Sequence, residues 1–73
     1  MNGTLNEYMN QIYSSTDLDA CRQLFINIVN NSTIRVEDRR RMVLQANQCD
    51  SLIKLQTYAT NSFFRFNKLG VIK

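Results

Sequence analysis

Apolar residues recur at helical spacing along almost the whole chain. Leu5, Tyr8, Met9, Ile12 and Tyr13 form one stripe, with the polar Asn6, Asn10 and Gln11 between them, which predicts an amphipathic helix. Thr4 and Glu7 stand at capping-box spacing, so this helix should span about 4–14 and stop at the turn-forming run Ser14-Ser15-Thr16-Asp17. The same run opens a second helix over about 16–30. Thr16 and Asp19 repeat the cap spacing, and Asp17 and Asp19 lie where the helix dipole favours negative charge. Its seam is Leu18, Cys21, Phe25 and Ile28, widened by Leu24 and Val29. Asn30-Asn31-Ser32-Thr33 then makes a short polar link, the kind that joins antiparallel neighbours.

From Thr33 onward the pattern predicts a single long helix, about 34–69, with Glu37 and Asp38 in its early turns and neither Pro nor Gly before Gly70. About 35 helical residues would reach roughly 50 Å. Two seams run along it. Met42, Ala46, Cys49, Ile53, Gln56, Thr60 and Phe63 form one; Leu52, Leu55, Ala59, Phe63 and Phe66 form the other, rotated by roughly 110°. A competing reading breaks the rod at Cys49-Asp50-Ser51, with Asp50 or Ser51 capping a fresh helix at Leu52 and four helices in all. Nothing local forces that break, so continuity is the expectation. Gly70 is a good terminator: it can turn left-handed, with Val71 making the accompanying apolar contact and Lys68 favoured beside the last carbonyls.

The expected architecture is therefore all-α and a single domain over residues 1–73: two short N-terminal helices packed on one long C-terminal helix, as a helical hairpin or bundle. Only one seam of a rod can be covered by the first two helices. A chain of this length buries about 60% of its extended surface, so association of several copies is expected to cover the other seam.

The candidate chemistry narrows this picture mainly by exclusion. There is no His, only Gly3 and Gly70, and no paired carboxylates with an acid–base partner, which argues against an enzyme. Cys21 and Cys49 alone do not make a zinc site; they are a reduced, buried pair or, if two helices lie side by side, a disulfide. No cofactor or metal is expected. No targeting signal or membrane span is visible, so the expectation is an intracellular, cytoplasmic protein. The nine Asn residues and the absence of Pro and Trp suit a small viral or phage protein, active in the host cytoplasm.

Charge is what points to function. Residues 1–32 carry Arg22 against Glu7, Asp17 and Asp19, a net −2, whereas residues 33–73 carry eight cations against Glu37, Asp38 and Asp50, a net +5. On a continuous helix Arg35, Arg39 and Arg40 fall with Lys54 and Arg65 in a sector of roughly 140°, with Arg41 completing the run. Glu37 and Asp38 could neutralise part of it as ordinary helical ion pairs. Phe63, Phe64 and Phe66 cannot all point one way, which leaves Phe64 either in the core or facing a partner. The reading is a small regulator or adaptor. Leu52, Leu55, Ala59, Phe63, Phe64 and Phe66 would supply a partner or oligomer interface, and Arg35, Arg39, Arg40, Arg41, Lys54 and Arg65 a basic docking surface for an acidic protein. A nucleic-acid-binding protein using the Arg stripe, or a purely structural homo-oligomer, are the alternatives.

Overall fold

A computed structural model describes residues 5–70. Four helices account for most of them: α1 (Leu5–Ser14), α2 (Leu18–Asn30), α3 (Val36–Gln48) and α4 (Leu52–Lys68). The described residues contain no strand.

The first two helices lie close to where their apolar periodicity places them. The N-cap of α2 is Asp17 and not Thr16: its extended backbone lets the carboxylate accept from the Ala20 amide at 3.0 Å. A charged oxygen at this position gains from the helix dipole as well as from the hydrogen bond, which a Thr hydroxyl does not. Thr4, expected to cap α1, lies outside the described residues.

The long helix is the main correction. The chain leaves helical geometry at Cys49 (φ −68°, ψ 126°) and re-enters through Ser51 (φ −145°, ψ 154°), whose Oγ accepts from the Lys54 amide at 3.2 Å. The four-helix alternative, with Ser51 as cap, is the one that forms. Two causes are visible. Breaking a helix exposes carbonyls at one end and amides at the other; Ser51 answers the amides, while Arg22 of α2 reaches the carbonyls of Ala46 (3.1 Å) and Cys49 (2.8 Å). Folding α4 back also buries apolar faces that a rod would expose. The principal extents of 29 × 24 × 19 Å leave no room for a 50 Å rod.

Antiparallel pairing sets the layout. Early α2 meets late α3 through Arg22, and late α2 meets early α3 where Arg39 approaches the Asn30 carbonyl. Late α1 meets early α4, because Gln56 donates to the Ile12 and Ser15 carbonyls at 3.2 and 3.4 Å; Tyr8 near the other end stacks obliquely on Phe63, ring centres 5.6 Å apart. Phe25 touches Phe63 (5.6 Å) and, edge-on, Tyr58 (5.8 Å), so one aromatic group ties α1, α2 and α4 together. Such pairs add to simple area burial.

Ile34, in the link before α3, is a buried plug and not a helical residue; α3 starts at Val36 with Arg35 at its N-cap position and no side-chain cap. At the other end Gly70 takes φ +78°, and its amide donates to the Asn67 carbonyl at 3.1 Å, as its sequence position leads one to expect. Its expected partner Val71 lies outside the described residues. No helix among the described residues is long and apolar enough to cross a membrane.

Candidate functional site

The apolar set marked for an interface goes mostly to the chain's own core. Leu55, Ala59 and Phe63 are wholly buried, Phe66 is nearly so, and Leu52 is packed against them. Phe64 alone stays open, at 46% exposure. The seam meant for a second copy is filled by α1 and α2, because the break at 49–51 lets α4 turn its apolar face inward.

The basic set divides three ways. Arg35 pairs with Glu37 (3.0 Å) and Lys54 with Asp50 (2.9 Å), both on the open surface. The hydrogen bond and charge of Asp50 push the Lys54 ammonium above its ordinary value, and Lys54 holds the Asp50 carboxyl below its own. Such exposed pairs are solvated and contribute little. Arg39 and Arg40 line a cleft between α2 and α3, and Arg41 and Arg65 line another between α3 and α4. No ion pair among the described residues neutralises any of these four. Of the two early carboxylates that could neutralise the Arg run, Glu37 turns back to Arg35 at 3.0 Å.

The α2–α3 cleft, about 380 Å³, has Ile26 from α2 and Val36 and Val43 from α3 as its apolar lining, with Asn30, Arg39 and Arg40 beside them. Val36, Val43 and Arg40 come together because positions three, four and seven apart share a helix face. Arg39 makes only a long contact to the Asn30 carbonyl (3.5 Å), and its buried Nε has no hydrogen-bond partner among the described residues. An N–H in that state is poorly solvated and open to an acceptor. Val36 and Val43 flanking the Arg run carried a legible signal, seven residues apart; Ile26, outside the α2 seam, carried a second.

The α3–α4 cleft, about 370 Å³, is lined by Arg41 and Gln45 of α3 and by Tyr58, Asn61, Ser62 and Arg65 of α4. On a continuous rod Arg41 and Arg65 would lie far apart along the axis; the turn at 49–51 brings them to one opening. The guanidinium of Arg65 also rests 4.9 Å from the centre of the Phe66 ring.

Cys21 and Cys49 are both free thiols. Burial pushes the Cys21 thiol above its ordinary value, partly offset by a hydrogen bond with Ser15. No cluster of metal-ligating side chains occurs among the described residues. No family model, curated protein or solved structure matches the chain.

Proposed function

We propose that the protein is a small non-catalytic adaptor that docks an acidic segment of another protein in the α2–α3 cleft. One observation carries this: the cleft joins an apolar lining of Ile26, Val36 and Val43 to two guanidiniums, Arg39 and Arg40, that no carboxylate neutralises. Branched aliphatic side chains offer a seat to Leu or Ile of a partner helix. The two guanidiniums steer and fix acidic residues beside that anchor. A base of nucleic acid would find no aromatic side chain there on which to stack. The regulatory role belongs to the same reading, since such a module acts through what it recruits or blocks.

The test uses a fluorescein-labelled helical peptide of about 16 residues, with Leu at i and i+4 flanked by Glu, alongside its Gln counterpart and a short DNA duplex. The Glu peptide should bind, weaken with salt, and lose about tenfold or more in affinity with Arg40→Glu. Arg40 is exposed, so that variant keeps its fold. Equal binding of the Gln peptide, or indifference to Arg40→Glu, would sink the proposal. Tighter binding to the duplex would transfer the role to nucleic acid.

A further inference from the structure

We propose that the α3–α4 cleft is a binding site for a phosphate monoester, gripped by Arg41 and Arg65. This is independent of the docking cleft, with which it shares no residue.

Arg41 and Gln45 stand one turn apart on α3, and Asn61 and Arg65 stand one turn apart on α4. Two such rungs bordering one cleft place a cation and an amide on each wall. Every one of the six lining residues carries a polar group, and none is a carboxylate. Two guanidiniums at one opening repel each other, and packed helices commonly relieve this with an Asp or Glu between them; here none of the described residues does so. An anion seated between them exchanges that repulsion for two charge-assisted fork contacts.

Ser62 adds a second, separate sign. The residue is 5% exposed; the buried unpartnered side-chain atom among the described residues is Arg39 Nε, so the Ser62 oxygen, which makes no hydrogen bond there, is itself open to solvent at the cleft. A Ser within a helix can bond back to a carbonyl one turn earlier, as the exposed Ser14 does to Asn10 at 2.6 Å. The Ser62 hydroxyl is instead left over on the wall of a cleft that already holds two cations.

The count of donors selects the anion. Two guanidinium forks, the amides of Gln45 and Asn61 and the hydroxyls of Ser62 and Tyr58 exceed what the two oxygens of a carboxylate can accept. A monoester presents three terminal oxygens and a charge near −2. A diester, as in a nucleic-acid backbone, has two free oxygens and one charge. The cleft is larger than a bare phosphate, and Tyr58 gives the ester's organic part an aromatic wall.

The test is an amide chemical-shift titration of the intact protein at constant ionic strength, with phenyl phosphate, inorganic phosphate, dimethyl phosphate and an eight-nucleotide oligothymidylate. Phenyl phosphate should give saturable shifts at Gln45, Asn61 and Ser62. Arg41→Gln and Arg65→Gln, both at exposed positions, should each weaken it about tenfold or more, while Arg35→Gln, outside the cleft, leaves it unchanged. Binding should also fall below about pH 6, where the ester loses its second charge. Linear shifts without saturation, or equal loss in Arg35→Gln, would overturn the site. Inorganic phosphate binding as tightly as phenyl phosphate would overturn the ester, and tighter binding of dimethyl phosphate or the oligonucleotide would overturn the monoester.

Discussion

Arg22 holds the break in the second half of the chain, and removing it should cost more than any other surface substitution. Its Nε and Nη2 donate to the carbonyls of Ala46 and Cys49 at 3.1 and 2.8 Å, while Nη1 reaches Asp19 at 2.9 Å. The Ala46 carbonyl takes only a long 3.4 Å bond from the Cys49 amide and the Cys49 carbonyl lies past the end of α3, so both have room for the guanidinium, and a positive charge is favoured there. Hydrogen bonds from a charged donor are worth roughly 1.5–3 kcal/mol each. The Arg22 side chain is 22% exposed, so water recovers part of that, and Asp19, at 82%, adds little. Arg22→Met keeps the apolar stem and removes the head; we expect a loss of about 2–4 kcal/mol. For a domain this small that lowers the melting temperature by roughly 10–25 °C. Urea unfolding followed by circular dichroism measures the loss. Amide exchange should locate it, since protection should fall first in the last turn of α3. Asp19→Ala, which removes only the exposed partner, should cost under about 1 kcal/mol. If Arg22→Met is no worse than Asp19→Ala, the carbonyl contacts are not what holds the break.

Three further outcomes check other parts of the description. Ser51→Ala should destabilise by about 1 kcal/mol and Ser51→Asp by much less, because either oxygen can accept from the Lys54 amide; identical losses in chemical denaturation would remove Ser51 from the cap. Under native conditions Ellman's reagent should modify Cys49 promptly and Cys21 only at the rate of unfolding, and simultaneous reaction of both thiols would contradict the burial of Cys21. Asp50 should titrate below the ordinary aspartate value of about 3.9 in an NMR experiment and return to it in Lys54→Met. A depressed folded value means that any stabilisation from this pair is present above the unfolded value and disappears as pH falls through the folded one. An Asp50 midpoint that ignores Lys54→Met would refute the pairing.

Where structure is decided locally, the sequence was informative. The stripe from Leu5 to Tyr13 and the seam from Leu18 to Val29 place α1 and α2 within a residue or two, and the left-handed turn at Gly70 follows from its missing Cβ. The break at 49–51 was visible only as a possibility. Asp50 and Ser51 permit it, but Arg22, more than twenty residues upstream, is what satisfies it, and no local window contains that partner. Spacing along a straight rod yields two seams, but the first does not outlast the break, since Met42 and Ala46 are buried while Ile53 is 76% exposed, and the second, expected to face outward because a rod cannot bury two faces, turns inward. The grouping of cations failed for the same reason: angles carried through a helix that bends do not add. Arg35 and Lys54 found local carboxylates, and Arg41 met Arg65 instead. Ile34 is not legible in the sequence, because a single apolar residue in a link has no periodicity to reveal it.

The pairing of α1 with α4 has a bearing on how the protein is made. Gln56 bonds to Ile12, 44 positions earlier, and Phe63 completes the ring cluster begun by Tyr8 and Phe25. Of these four helices α1 is made before α2, on which it also packs through Ile12 and Cys21, and its contacts with α4 must wait until the fourth has been synthesised. Compared with a helix pair closed over about ten residues, a loop of this length adds only about 1.3 kcal/mol of closure entropy, so the delay is one of order and not of thermodynamic penalty. During that interval Tyr8, Ile12 and Phe25 are exposed, α2 and α3 can pair only provisionally, and an unfinished chain offers apolar surface to chaperones or proteases. Completion of α4 then buries all of these groups together, making α4 the helix on which the cooperativity of the whole bundle depends.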